Sequence, residues 1–580
     1  MTQCMEDIRN HTLAYDPFLF APGGRQTTDP LEAIGTDYDT CRTYCGDSSN
    51  SFNWSAFSPQ FTGWLLPFLA LLAQLPYESD GTWHDFMSLM LTTGSPLLAM
   101  YSLTLTILNS RYLKQCLDEA FPGESVRLGA LKKNILRILK ISQQEPFQLE
   151  NLDAYPNEAE GGRLKDVERH WWHEAQIAVA NKERRFTASL AAQAVSVIIA
   201  FSFTWVDAFG SEHIGTTVTA FGLATALCWS WVAIIVLGWF FAGVSISNHP
   251  ISEAIRQASR LQRNAKPRLA SFTAPEELGY FALSRRIAGD VERAGPLYNY
   301  AKAFVWTYNV DHLITTLHAH ILRQQGTNAL SPAPSAGATS ITFPEPIPLI
   351  NLPHSTGAGA PTIAASSHLS LPEVDPEGEN KSSYRYFHSE YLGKIGWKRS
   401  VRQRMFWSAI SAIVLNTSTV GAAFWLDFLT PSIGLGCRSG GILVYWMTSY
   451  IVWLLMVSSA WISNHWSVRA AAQHIKKDRS PGNLYLLGAV AVILRLVGKG
   501  LAILNSIWII MHCLFEFTGF YNRCFCLTNR GTSPWLWLDD ATIRSLNNTQ
   551  ETWFGLAVLT GVMCMGYIAF MGLWTRANLQ

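Results

Sequence analysis

Apolar residues gather along the chain in runs of about twenty, divided by polar stretches. A helix crossing a hydrocarbon core about 30 Å thick needs about 20 mostly apolar residues at about 1.5 Å each. Seven runs meet that requirement: 86–108, 186–206, 217–243, 405–426, 441–462, 486–511 and 553–574. An eighth run, 61–76, is shorter and holds Pro67, so it reads as a short span, a re-entrant hairpin or an interfacial helix. The pattern predicts an all-α polytopic integral membrane protein with seven or eight transmembrane helices, its main partner the lipid bilayer.

The polar intervals set the organisation. An acidic tail, 1–60, precedes 61–108, which holds the short apolar run and the first span. Loop 109–185 is basic and carries Leu131, Ile135, Leu136 and Leu139 at helical spacing. Hairpins 186–246 and 405–462 flank the long loop 247–404. The first half of that loop reads as helical, with Leu297, Tyr300, Phe304 and Tyr308 on one stripe. Its second part, 326–380, holds nine prolines, five glycines and seven serines, and predicts a disordered insert with too little apolar surface to fold. Residues 384–404 (Arg385, Trp397, Lys398) suit either a helix on an anionic leaflet or a plain stop-transfer flank. Loop 463–485, span 486–511, loop 512–552, span 553–574 and tail 575–580 complete the chain.

Charge gives the runs a direction. Charged residues are 15% of the chain, below the roughly 25% of soluble domains, and 44 basic against 43 acidic residues leave +1. That balance gives no electrostatic case for nucleic acid. The distribution is lopsided: 109–185, 247–404, 463–485 and the final tail hold 35 of the 44 basic residues. Those stretches are therefore expected in the cytosol, with the C-terminus inside. The other connections carry Asp207, Glu212, Asp427, Asp539 and Asp540. If 61–76 spans, the N-terminus is inside and there are eight helices; if not, it is outside and there are seven.

Three features favour outside. The first 60 residues have eight acidic and three basic residues. They carry sequons at Asn10 and Asn53, and Asn547 offers a third acceptor in loop 512–552. Cysteines follow the same division: Cys4, Cys41, Cys45, Cys437, Cys524 and Cys526 fall on the outer side, an even number able to pair fully in an oxidising compartment. The sequence thus predicts a glycoprotein of the secretory pathway or plasma membrane.

Candidate chemistry is sparse. Arg495 and Lys499 lie inside 486–511, where charge faces a cavity, a counter-charge or the headgroups. They are either functional charges, meeting Asp207 or Asp427 or binding an anion, or they mark a surface-lying 484–499 with the embedded part starting near Gly500; the second is the favoured expectation, since long basic side chains snorkel near helix ends. Asp207 and Asp427 are expected at the outer interface. His170-Trp171-Trp172-His173 pairs two imidazoles but lacks the further ligands zinc needs, as do His312, His318 and His320, so no metal site is expected. Asn416 heads a sequon inside a span and should stay bare. Trp64, Trp205, Trp425, Trp553 and Trp574 stand at run ends, as an aromatic belt requires. There is no P-loop, dinucleotide fingerprint, nucleophile elbow or zincin motif, so neither catalytic residues nor a cofactor is assigned.

Two further features carry a resemblance. The stretch 60–76 holds Gly63-Trp64 and Pro67 and closes on Gln74-Leu75-Pro76. Two spans following Trp-x-Asp ends (Trp205 to Asp207, Trp425 to Asp427) close on Ser247-Asn248-His249 and Ser463-Asn464-His465, an internal repeat or a coincidence. With the Pro/Ser-rich insert, these resemble multi-pass membrane proteins of filamentous fungi, some lying beside secondary-metabolite genes. The resemblance implies an accessory membrane role in such a pathway (scaffold, trafficking or export support), with other membrane or pathway proteins as partners through the cytosolic loops. A secondary transporter or channel, and a membrane-embedded transferase or cyclase, are the other functions the sequence allows.

Overall fold

The computed structural model of the chain describes residues 19–21, 25–29, 35–45, 54, 57–58, 61–75, 82–121, 126–145, 164–182, 188–209, 217–243, 280–282, 289–329, 386–388, 399–430, 434–476, 482–527, 535–537 and 549–579. Met1–Thr315 and Arg385–Gln580 form one compact unit; Thr316–Tyr384 forms another, described only where a long helix runs into it.

Helices dominate. After β1 (Leu19–Ala21), β2 (Arg25–Thr27) and β3 (Gly35–Asp37) come α1 (Tyr38–Cys45), a π-turn and α2 (Leu66–Leu72). Then follow α3 (Thr82–Gly94), α4 (Pro96–Ala120), α5 (Val126–Ile141), α6 (Leu164–Lys182), α7 (Ala188–Phe209), α8 (Thr217–Trp229) and α9 (Trp231–Ala242). Strand β4 (Tyr280–Ala282) pairs with β5 (Tyr386–His388), and between them two 3₁₀ turns, Gly289–Glu292 and Pro296–Tyr298, lead into α10 (Asn299–Ala329). The last third holds α11 (Arg399–Asn416), a π-turn at Thr417–Gly421, α12 (Ala422–Leu429), α13 (Cys437–Lys476), α14 (Gly482–Phe517), α15 (Cys524–Leu527), β6 (Trp535–Trp537) and α16 (Thr549–Leu579).

Among the described residues, five helical stretches are long and apolar enough to cross a membrane: Ala220–Ala242, Arg399–Leu429, Cys437–Arg469, Leu486–Phe517 and Thr552–Trp574. Each coincides with a predicted run. The run 186–206 forms α7, of which Leu190–Phe203 is the apolar part. The run 61–76 gives only a π-turn and the seven-residue α2. The straight span expected at 86–108 is corrected: it breaks into α3 and α4, bent by 102° at Ser95. Ser95 caps α4, its Oγ accepting from the Leu98 amide at 3.4 Å, and Pro96 occupies the first turn, where a missing N–H is harmless. Gly94 has its Cα against the Ala502 backbone of α14, a position closed to any side chain.

Helix α4 lies at the centre of the bundle. Its residues from Leu97 through Ile107 are all buried, as befits a helix covered all round. It packs on α11, while α3 packs on α14 and α13 lies along α14. The aromatic belt therefore takes only part of the tryptophans. Trp407, Trp425 and Trp461 are exposed, but Trp172, Trp229, Trp231 and Trp553 are buried in the protein.

One face is cross-linked. Strand β6 adds antiparallel to β3, with Gly35 opposite Trp537, in a sheet ordered β2-β1-β3-β6. Disulfides join Cys41 to Cys524 and Cys437 to Cys526, with Cα separations of 5.9 and 4.9 Å. The tail from 19 to 45, the start of α13 and the connection after α14 thus share a face. Cys4, the Cys45 side chain, Asn10, Asn53, Asn547 and most of the insert 326–380 lie outside the described residues.

Candidate functional site

Three polar features interrupt the apolar interior. The first is the break between α3 and α4, which exposes carbonyls at the end of one helix and amides at the start of the next. In a bilayer such groups must find protein partners. Asn505 Nδ2 of α14 donates to the Gly94 carbonyl at 2.7 Å and to the Tyr445 carbonyl at 3.1 Å. The Tyr445 hydroxyl of α13 donates to the Thr93 carbonyl at 2.8 Å. Ser95 Oγ donates to the Ser449 carbonyl at 3.0 Å, and the Leu97 amide donates to Ser449 Oγ at 3.3 Å. Side chains of α13 and α14 thus hold the break closed.

The second is a buried charge site where the segment 289–302 packs onto α14. Lys499 Nζ donates to Asp290 Oδ1 at 2.5 Å and the Tyr300 hydroxyl to Oδ2 at 2.5 Å. Burial alone would raise the Asp290 carboxyl; Lys499 and Arg495 outweigh it and hold the group below the usual carboxylate range. Burial, reinforced by the Asp290 charge, pushes the Tyr300 and Tyr298 hydroxyls up. Gly289, at φ +52°, sets its backbone against the Arg495 guanidinium. Tyr298 bonds Ser88 of α3 at 3.0 Å, Ser102 of α4 donates to the Leu297 carbonyl at 2.7 Å, and Asn299 donates to Thr106 at 2.7 Å. Lys302 Nζ donates to the Gln144 carbonyl at 2.8 Å. Both Asp290 oxygens are occupied, so the carboxylate clamps this segment onto the bundle and is not placed to act as a general base.

The third is a small cavity near the cross-linked face, about 10 Å³ or room for roughly one water, whose polar lining is Thr225, Cys228, Asp427, His512, Cys513 and Glu516. Asp427 is buried and its Oδ1 has no hydrogen-bond partner. His512 Nδ1 lies 2.8 Å from the Tyr521 hydroxyl. Arg438 bonds Glu516 at 2.7 Å and lies 3.9 Å over the Phe221 ring.

These placements change several expectations. Lys499 meets Asp290, which no sequence feature singled out. Asp427 is not its partner: His512, beside Asp427, stands 13 residues along α14 from Lys499, about 20 Å on a helix. Asp427, expected at the outer interface, is buried within the protein. The Asp207 side chain lies outside the described residues. The stretch 484–499 does not separate from the span, because α14 runs unbroken from Gly482 to Phe517. His173 is exposed and Trp172 buried, both on α6, which packs on α5, while the side chains of His170, His312, His318 and His320 are not described. Asn416 is fully buried. Among the described residues no group of three or more His, Cys, Asp or Glu side chains is close enough to hold a metal ion.

Asp290, Tyr300, Asn505 and Ser449 escaped the sequence reading. Only Tyr300 left a signal, on the aromatic stripe of the long loop. The Ser95-Pro96 pair inside an apolar run was a legible helix start. No protein-family model matches the chain, and no curated protein or solved structure matches it either.

Proposed function

We propose that this chain is a membrane transport protein whose working element is the broken helix α3–α4. The observation that supports this is the 102° break at Ser95 in the interior, paired by side chains of two other helices. Discontinuous helices in transporters bracket the transported species, and rocking of neighbouring helices re-pairs the broken backbone. In this reading α13 and α14 move against α3–α4, and the Lys499–Asp290 clamp holds the long loop shut over one end. We further propose the finer topology: seven spans, a cytosolic C-terminus and an N-terminus outside, with 61–76 not crossing. Its resemblance to fungal membrane proteins suggests a small product of a secondary-metabolite pathway as the solute.

A second reading, an accessory component supporting a pathway without carrying solute, is favoured by the size of the Asp427 cavity, about 10 Å³ against the roughly 300–1,000 Å³ of organic ligand sites. Metabolite profiling of cells lacking the chain, complemented with wild type, Asn505→Leu or Lys499→Met, separates the readings. Transport predicts finished product retained inside, with export unrestored by variants that reach the membrane in normal amount. Full restoration by both variants overturns the transport reading. One unmodified precursor accumulating instead would point to an enzyme.

A further inference from the structure

Asp427 is the one described carboxylate in the bundle interior that has a cavity before it and an oxygen with no donor. Every nearby group that might neutralise it is accounted for. On α13, Arg438 is engaged by Glu516 and stacked over Phe221. On α8, Cys228 and Thr225 face the cavity, and Thr225 Oγ1 donates to its own helix at the Phe221 carbonyl, 3.0 Å away. On α14, Cys513 accepts from Trp229 Nε1 at 3.4 Å, while His512 is bonded to Tyr521 in the turn beyond the helix. Helix α16 also packs on α12, and none of its described residues lines the cavity. The missing partner of Oδ1 is therefore supplied by something that enters. Organic solutes are too large for this space, which leaves water, a proton or a single small cation. A cation would need several oxygen ligands at once, and among the described residues no group of three His, Cys, Asp or Glu side chains is placed to hold a metal ion.

We propose that Asp427 is a proton-exchange site: its carboxyl takes up and releases a proton through the cavity, in communication with the aqueous phase at the disulfide-linked face. Intramembrane carboxylates paired with histidine serve as proton relays in pumps and transporters. The parts of such a relay are in place. Glu516, one residue from the end of α14, lines the cavity and holds Arg438, one residue from the start of α13, at 2.7 Å. The His512–Tyr521 hydrogen bond links the cavity to the turn outside. On release, the Asp427 proton passes to a cavity water or to His512 and leaves past Tyr521; on uptake it returns the same way, with no other bond made or broken. As the coupling site for solute movement, this inference rests on the transport reading; as a proton site it stands alone.

The test is pH-difference infrared spectroscopy of the full chain in nanodiscs, reading the carbonyl stretch of protonated carboxylic acids. Wild type is expected to show a reversible acid band that Asp427→Asn loses and Asp427→Glu returns at a shifted frequency. The band should not respond when sodium chloride replaces choline chloride at fixed pH. A band unchanged in Asp427→Asn overturns the proposal, as does one driven by sodium, which would make the site a cation site. If Asp427→Asn fails to yield folded protein, Asp427→Glu decides, and an unshifted band overturns it. Metabolite export then separates the two claims. Export insensitive to external pH, beside an intact Asp427 band, overturns coupling and leaves transport standing; an Asp427 band in a chain that exports nothing overturns transport and leaves the proton site standing.

Discussion

If the Asp290–Lys499 pair clamps the long loop to α14, cutting it should be expensive from one side only. Lys499→Met strands a carboxylate that is 3% exposed, and breaking one side of a buried pair costs about 3–5 kcal/mol. Asp290 keeps the Tyr300 hydroxyl and the Arg495 charge, so the low end applies, about 3 kcal/mol. Asp290→Asn leaves an ammonium that is 17% exposed and can swing toward water, costing about 1–2 kcal/mol. The double variant leaves no buried charge unpaired at this pair and should cost no more than the milder single change. Unfolding each variant in mixed micelles of rising sodium dodecyl sulfate content, followed by tryptophan fluorescence, should return a coupling energy of at least about 3 kcal/mol. Acidity adds a second check. Asp290 is held below its ordinary value, so its stabilisation is fully present above about pH 3.9 and fades as pH falls through the lower folded value. The gap between wild type and Asp290→Asn should stay flat from about pH 7 to about pH 5 and close only below about pH 4. Additive effects within about 0.5 kcal/mol, or a gap closing near neutrality, would refute the clamp.

Three further outcomes are expected. Gly289→Ala forces a Cβ toward the Arg495 guanidinium at a left-handed φ, and should lower stability by about 1–3 kcal/mol in the same micelle titration. Gly94→Ala sets a Cβ against the Ala502 backbone, which cannot swing aside as a side chain could; at least about 3 kcal/mol should be lost, read as loss of monodisperse protein on size exclusion, whereas the exposed Gly500→Ala should be nearly silent. Peptide mapping without reductant should recover Cys41 linked to Cys524 and Cys437 linked to Cys526, and recovery of Cys41 joined to Cys437 would contradict this pairing.

What could be read from the sequence was whatever sums along the chain. Hydropathy accumulates residue by residue, so 405–426, 441–462, 486–511 and 553–574 each fall inside a long apolar helix of the structure, whose ends reach up to seven residues further. The same averaging hid the break at Ser95, because a window of eighteen residues weighs composition and is blind to direction. Partnerships between distant positions were not readable. Asp290 sits in a basic loop 209 residues from Lys499, and only the packing of 289–302 buries it. The cysteine count was legible while its connectivity was not, since six cysteines allow 15 pairings.

Helix α14 brings these strands together as a ruler of depth. Its apolar stretch Leu486–Phe517 has 32 residues, about 48 Å long, and would have to tilt by about 50° to fit a 30 Å core, beyond the usual range of about 0–40°. One end must therefore leave the hydrocarbon, and the charges say which. From Lys499 to Phe517 is 18 residues, about 27 Å, close to a full hydrocarbon thickness, as it would be if Arg495 and Lys499 marked one boundary. On the same scale Asn505 lies about 9 Å inside that boundary, holding the broken helix at a depth where water cannot pair it. His512 lies about 20 Å from Lys499, and Glu516 about 26 Å, near the opposite boundary. A single helix thus carries the clamp, the break and the Asp427 cavity in order along its length. Any tilt or slide of α14 must disturb all three together, so a change that loosens the clamp should also alter the cavity at the far side.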